Sequence, residues 1–145
     1  HPYPRFEGEK YVGLACKYYK IDIELPLLLL DDVLCHVEYM PDGSSRNMLQ
    51  QYRRNPRGFA FYRRELMRLP FGGMLFKYRQ AVHYVSSSLM CRNRRMLAES
   101  PKRLLTLLAI PPGVCLFLFI AWNSGRRIAG ANAGVGAAGA HEGTP

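Results

Sequence analysis

Acidic residues nearly vanish from the middle of this sequence. Residues 46–103 carry fourteen basic side chains against Glu65 and Glu99, a local balance of +12, while residues 1–45 sum to −4 and residues 104–145 to +1. So uneven a distribution points to partners that bear negative charge rather than to an evenly solvated globule. Cysteine is sparse as well: Cys16, Cys35, Cys91 and Cys115 lie far apart with no C-x-x-C pair. That excludes a zinc knuckle, a thioredoxin-like redox motif and a disulfide-stapled scaffold, and leaves reduced, structural thiols as the expectation. No G-x-x-x-x-G-K-[ST] loop and no G-x-S-x-G elbow occurs, so phosphate-cradling and α/β-hydrolase chemistry have no motif to rest on.

What is present packs. Apolar residues make up 48% of 145 residues, enough for one domain. The opening at His1 without Met is what a processed or internal start would give. Tyr19 to Leu25 alternates apolar and charged residues, which predicts a short strand ended by Pro26. Leu27, Leu30, Leu34 and Val37 then recur at helical spacing with Asp31, Asp32 and Glu38 off the stripe, predicting a short amphipathic helix before the Pro41-Asp42-Gly43 turn.

The basic middle reads as helices. Ser44 and Ser45 can cap one carrying Met48, Leu49 and Tyr52, ended or kinked at Asn55-Pro56. Phe59, Tyr62, Leu66 and Leu69 step along a second, with Arg63, Arg64 and Arg68 off the stripe, closed by Pro70 and Gly72-Gly73. A third is predicted from Met74 to Leu97, with Met74, Tyr78, Ala81, Val85 and Leu89 on one face and Arg92, Arg94 and Arg95 at its end, where cations suit the helix dipole. Ser100-Pro101 reads as the cap and first position of a new element.

Leu104 to Trp122 is nineteen residues without a charge, inside an uncharged interval of twenty-two between Arg103 and Arg126. At about 1.5 Å per residue that interval covers roughly 33 Å, enough to span a bilayer. Pro111, Pro112 and Gly113 oppose a lone helix, because the prolines leave carbonyls near Leu107 and Leu108 without donors. The expectation is therefore one transmembrane helix with a central Pro-Pro-Gly, seated beside other helices; the alternative is two short buried helices, 102–110 and 114–122, folded back at that break. Trp122 and the flanking cations suit a membrane interface, and the excess of cations before the segment places the N-terminal part on the matrix side.

The fold class expected is thus mainly α, in four parts: an acidic, aromatic N-terminal strand/helix segment over 1–43, a basic amphipathic helical region over 44–103, the transmembrane helix over 104–122 and a flexible Gly/Ala-rich tail over 123–145. Candidate chemistry is weak. Cys35 and His36 beside Asp31, Asp32 and Glu38 suggest a metal site or an activated thiol, but adjacent helical residues point about 100° apart and no second pair has ligand spacing. His83 reads as a packed histidine and Ser86 to Ser88 as an ordinary run. No catalytic residue, cofactor or metal is assigned, and the protein is read as no enzyme. The residues expected to bind lipid or partners are Arg92, Arg94, Arg95, Lys102, Arg103, Arg126 and Arg127, since juxtamembrane cations attract anionic head groups by ~1 kcal/mol each.

Phe61-Tyr62-Arg63-Arg64-Glu65-Leu66 resembles the Leu-Tyr-Arg motif of small basic helical matrix proteins that join respiratory complexes and iron–sulfur delivery, with Phe61 in place of Leu. The resemblance covers six residues of the chain, Tyr-Arg occurs three times in it, and the family is not assigned. The functional expectation is a non-catalytic, single-pass accessory subunit of a mitochondrial inner-membrane complex, of the respiratory chain or ATP synthase, contacting other subunits and anionic lipid such as cardiolipin; a thylakoid membrane suits it nearly as well. The rival reading is an organellar ribosomal or other RNA-binding protein, because arginine interleaved with Tyr52, Phe59, Phe61, Tyr62 and Tyr84 also suits RNA backbone and bases.

Overall fold

The computed structural model describes residues 4–10, 12–25, 28–38 and 48–123, and within them the chain is mainly helical with no strand. In chain order the helices are α1 (Ala15–Glu24), α2 (Met48–Arg54), α3 (Pro56–Arg68), α4 (Met74–Met90), α5 (Met96–Glu99), α6 (Arg103–Leu108) and α7 over 110–123.

The centre is the α3–α4 hairpin. Asn55-Pro56 ends α2 and opens α3 with proline in its first turn, where a missing N–H is harmless. The α3 N-terminus is satisfied from far along the chain: the Glu9 carboxylate accepts from the backbone N–H groups of Arg57 (2.9 Å) and Gly58 (2.7 Å), and the Asn55 side chain accepts from the Lys10 N–H at 2.9 Å. Pro70 and Gly72-Gly73 form the turn, as the sequence suggests. Gly72 is required there, because its φ is +84° and a Cβ would lie 2.6 Å from the Phe76 ring. Ala60 and Met67 of α3 meet Ala81, Tyr84 and Val85 of α4 in a closed core. Glu65, buried on α3, is held by Lys20 of α1 at 2.9 Å and by Arg68, which ties α1 to the hairpin.

The expected strand over Tyr19–Leu25 is instead the second half of α1. An isolated strand would expose a row of unpaired backbone groups, whereas the helix satisfies them internally and buries Cys16. Residues 28–38 form no helix despite their 3-4-3 pattern; Leu28, Leu29, Leu30, Val33, Leu34 and Val37 are all exposed, and a helix that short with no face to pack against does not hold itself. The proposed caps Ser44 and Ser45 lie outside the described residues.

The predicted Met74–Leu97 helix also divides. It ends at Met90 in a Schellman turn: Asn93 N–H reaches Ser88 O at 2.9 Å and Arg92 N–H reaches Leu89 O at 3.1 Å, with Arg92 at φ +54°. The buried Tyr84 hydroxyl then donates to Met96 O at 3.0 Å, drawing α5 back across α4. A new element does start after Ser100-Pro101, with Lys102 rather than Ser100 as the residue before the first helical position; Ser100 Oγ accepts from the Lys102 N–H (3.2 Å) and pairs with the buried Thr106 hydroxyl (2.6 Å).

The single spanning helix over 104–122 is the largest correction. The segment divides at Ala109 into α6 and α7, and no helix among the described residues is long and apolar enough to cross a membrane. The cause is the missing donors of Pro111 and Pro112. Ala109 N–H is shared between Leu105 O (3.0 Å) and Thr106 O (3.2 Å), tightening the last turn of α6, and regular pairing resumes with Gly113 N–H to Ala109 O at 2.9 Å. The two pieces do not fold back on each other as the buried-pair alternative required, because Ala109 stays right-handed helical (φ −84°, ψ −5°). Of the two carbonyls deprived of donors, Leu108 O receives the Tyr78 hydroxyl of α4 at 3.5 Å.

Candidate functional site

An α-helix packed on one side normally turns its large apolar side chains inward. α6 and α7 turn much of theirs outward. Their inward positions are Thr106, Ala109, Gly113 and Ile120, all buried, and Gly113 fits so closely that a Cβ would lie 2.6 Å from Val85 Cβ and 3.1 Å from Val82 O of α4. Small residues there let the two backbones approach. The outward positions include Leu104 (79% exposed), Leu108 (67%), Leu118 (58%) and Trp122 (64%), joined by Leu107 and Phe119. Leu104, Leu108, Pro111, Cys115, Leu118 and Trp122 recur at steps of 4, 3, 4, 3 and 4 and are all exposed, so they form one stripe.

Cations gather at the start of that stripe. Lys102 and Arg103 are exposed immediately before Leu104, and Arg92, Arg94 and Arg95 are exposed on the turn between α4 and α5. Arg92 and Arg94 border a shallow hollow with Leu89, Met96 and Leu97. The turn is braced from within: Asn93 Oδ1 accepts from the Arg95 N–H at 2.9 Å while its Nδ2 donates to Glu99 at 2.9 Å. Five of the seven expected binding residues are therefore solvent-facing; Arg126 and Arg127 lie outside the described residues.

The remaining candidates are not brought together. Cys35 and its neighbours sit in the exposed 28–38 segment, and no three His, Cys, Asp or Glu side chains converge among the described residues. Ser86, Ser87 and Ser88 are buried in α4. His83 stacks on Tyr52, with ring centroids 6.1 Å apart, and burial together with the nearby Arg63 and Arg79 lowers its pKa to about 4. It is a neutral packed ring. Arg63, expected off the apolar stripe, instead bridges Tyr52 Oη (2.9 Å) and Gln80 Oε1 (2.7 Å) within the hairpin.

The sequence reading missed the outward stripe itself. Its signal was available in the seven-residue recurrences of Leu104, Pro111 and Leu118 and of Leu108, Cys115 and Trp122, opposite Thr106, Ala109 and Gly113. Compared with family models, curated proteins and solved structures, the chain matches none. The surface therefore stands on its geometry alone. Apolar side chains along one side, with exposed cations before them, are suited to recognising an apolar surface that carries negative charge.

Proposed function

We propose that this protein is a non-catalytic accessory subunit of an organellar, membrane-associated assembly, which it joins by laying the outward face of α6 and α7 against an apolar surface while Lys102, Arg103 and the Arg92–Arg95 turn meet anionic lipid or acidic subunit surface. The observation that carries this is the outward face: Thr106, Ala109, Gly113 and Ile120 turn inward, while Leu104, Leu107, Leu108, Leu118, Phe119 and Trp122 are exposed, a distribution that water does not favour. With no spanning helix among the described residues, the attachment suited to this geometry is along the interface, with apolar side chains sunk into the acyl boundary and cations at the head groups. Mitochondrial inner membrane remains the preferred site on the strength of the arginine-rich block.

Vesicle flotation tests it. The full chain floats with vesicles containing cardiolipin and less with neutral ones, and the double variant Leu118→Glu, Trp122→Glu stays at the bottom while remaining folded by circular dichroism. If the double variant floats as the parent does, the face is not the point of attachment. Co-sedimentation with ribosomal particles and no flotation supports the RNA-bound alternative instead.

A further inference from the structure

A second feature lies beside α3. A cavity of about 320 Å³ opens between the N-terminal segment, α3 and the turn after α4, lined among others by Phe6, Arg57, Phe61, Arg64, Tyr84 and Cys91. Arg57, Phe61 and Arg64 recur at steps of four and three along one face of α3, so the helix itself forms the floor. We propose that this cavity binds a small aromatic carboxylate, its charge held by Arg64 and its ring between the aromatic walls.

Arg64 carries the argument. Its side chain is only 25% exposed, yet among the described residues its guanidinium has no acceptor within hydrogen-bonding distance: the nearest carboxylate oxygens are Glu99 Oε2 at 3.6 Å and Glu65 Oε1 at 3.9 Å. Its Nε is buried and unpartnered. Both carboxylates form only these loose ion pairs with it and are shared, Glu65 with Lys20 and Arg68, and Glu99, which itself lines the cavity, with Asn93 Nδ2 at 2.9 Å, so the lining keeps the guanidinium groups of Arg57 and Arg64 against one carboxylate. A guanidinium is a planar fork of five donors matched to a carboxylate, and one whose buried Nε lacks a hydrogen-bond acceptor is incompletely satisfied. The Arg64 Cζ lies 5.5 Å from the Phe61 ring centroid, which fixes its plane beside the cavity.

The walls decide the class of anion. Phe6 and Phe61 stand 6.0 Å apart at 56°, and the buried Tyr84, whose hydroxyl donates to Met96 O, completes the aromatic lining. A bare inorganic anion would leave these walls wet. A nucleotide would overfill a space at the lower end of small-molecule sites. Arg57, exposed at the rim, supplies a second positive charge for attraction.

The cavity's own Cys91 provides the readout, because Cys35 and Cys115 are exposed elsewhere and serve as internal controls. The intact chain is alkylated with iodoacetamide at alkaline pH and each cysteine is followed by mass spectrometry, with 3-phenylpropionate, 3-phenylpropanamide or inorganic phosphate as probes. At ten times its half-saturating concentration, phenylpropionate slows Cys91 by about tenfold. The amide and phosphate leave Cys91 unchanged, and Cys35 and Cys115 react at their usual rates throughout. Arg64→Gln abolishes the protection and Arg103→Gln, outside the cavity, retains it; if Arg64→Gln does not fold, Arg57→Gln on the exposed rim raises the half-saturating concentration several-fold. No protection of Cys91 by millimolar phenylpropionate, or protection by the amide or phosphate to the same degree, overturns the proposal.

Discussion

The α3–α4 hairpin and the α6–α7 pair are built from similar amounts of apolar side chain, turned in opposite directions. In the hairpin, Phe59, Leu66 and Met67 point inward at 3% exposure or less, and the arginines lie on or toward the surface. In α6–α7 the inward positions go to Thr106, Ala109, Gly113 and Ile120, with Leu105 and Ile110 half-buried against the core, while Leu104, Leu107, Leu108, Leu118 and Trp122 are exposed. Each large side chain is worth about 1.5–3 kcal/mol when fully covered. The hairpin has already collected that energy in folding the chain, while much of the large apolar side chain of α6–α7 remains exposed among the described residues. One region builds the fold, and the other presents a surface.

Truncation should separate the two most strongly. Phe59→Ala removes a ring buried beside Tyr52, with centroids 4.2 Å apart, and is expected to cost about 3–5 kcal/mol of unfolding free energy. Leu118→Ala, on the outward face, is expected to change stability by less than ~0.5 kcal/mol while weakening vesicle binding. Urea titration of both variants checks the contrast. A loss at Leu118 as large as at Phe59 would mean that the outward face is already covered within the folded chain.

The inward side of α7 is open to the converse test. Gly113→Leu places a side chain where even a Cβ meets Val85 and the Val82 carbonyl, so α7 must lift from α4. Overpacking of this kind is expected to cost about 2–3 kcal/mol. Chemical denaturation measures it, and Gly113→Ala should fall between the parent and Leu. A neutral Gly113→Leu would show that α7 does not rest on α4, and the distinction between inward and outward faces would lapse with it.

How far these two regions were legible in the sequence follows from what each depends on. The hairpin rests on local signals, namely Asn55-Pro56, a 3-4-3 apolar stripe and the Pro70 to Gly73 turn, and all of these act where they stand. The N-terminal segment misled because seven alternating residues suit a strand only when a partner strand exists, and period alone cannot supply one. The 28–38 pattern misled for the related reason that helical spacing needs a face to pack on. In 104–122 the recurrence was readable but which of its faces turns inward was not: Ala109 and Gly113 acquire their meaning only from Val82 and Val85 across the interface. Arg64 gave no sequence signal at all, since its missing acceptor depends on where Glu65 and Glu99 turn.

Acid should act on one region and spare the other. His83 has its folded pKa lowered from 6.5 to about 4, chiefly by burial and then by Arg63 and Arg79. Between those values the unfolded chain binds the proton and the folded one does not, so the contribution is fully present above pH 6.5 and is lost as pH falls toward 4. Allowing for partial exposure, the loss is about 1–2 kcal/mol. Comparing the pH dependence of stability for the parent and His83→Gln isolates it, and the variant should show the shallower fall. From Leu104 to Asn123 there is no His, Asp, Glu, Lys or Arg to titrate, so the α6–α7 face carries no acid-sensitive charge of its own.

The smallest expected effect concerns Arg92, where stability and surface are set against each other. Arg92 occupies the left-handed position of the Schellman turn that ends α4, with φ +54°, a place that favours glycine because a Cβ crowds the following carbonyl. Arg92→Gly is therefore expected to stabilise the chain by about 0.5–1 kcal/mol, since relief of strain there exceeds the entropy that glycine adds to the unfolded state. The same substitution removes an exposed cation from the turn proposed to meet anionic lipid, so affinity for cardiolipin vesicles should fall. Arg92→Ala separates the terms: it loses the charge and keeps the strain, and should bind vesicles as weakly as the glycine variant without its gain in stability. Thermal unfolding and flotation of the three proteins at matched ionic strength measure both quantities. If glycine stabilises and vesicle binding is unchanged, the cation at this turn has no part in attachment; if binding falls while stability rises, the strained arginine is held there for the surface it presents.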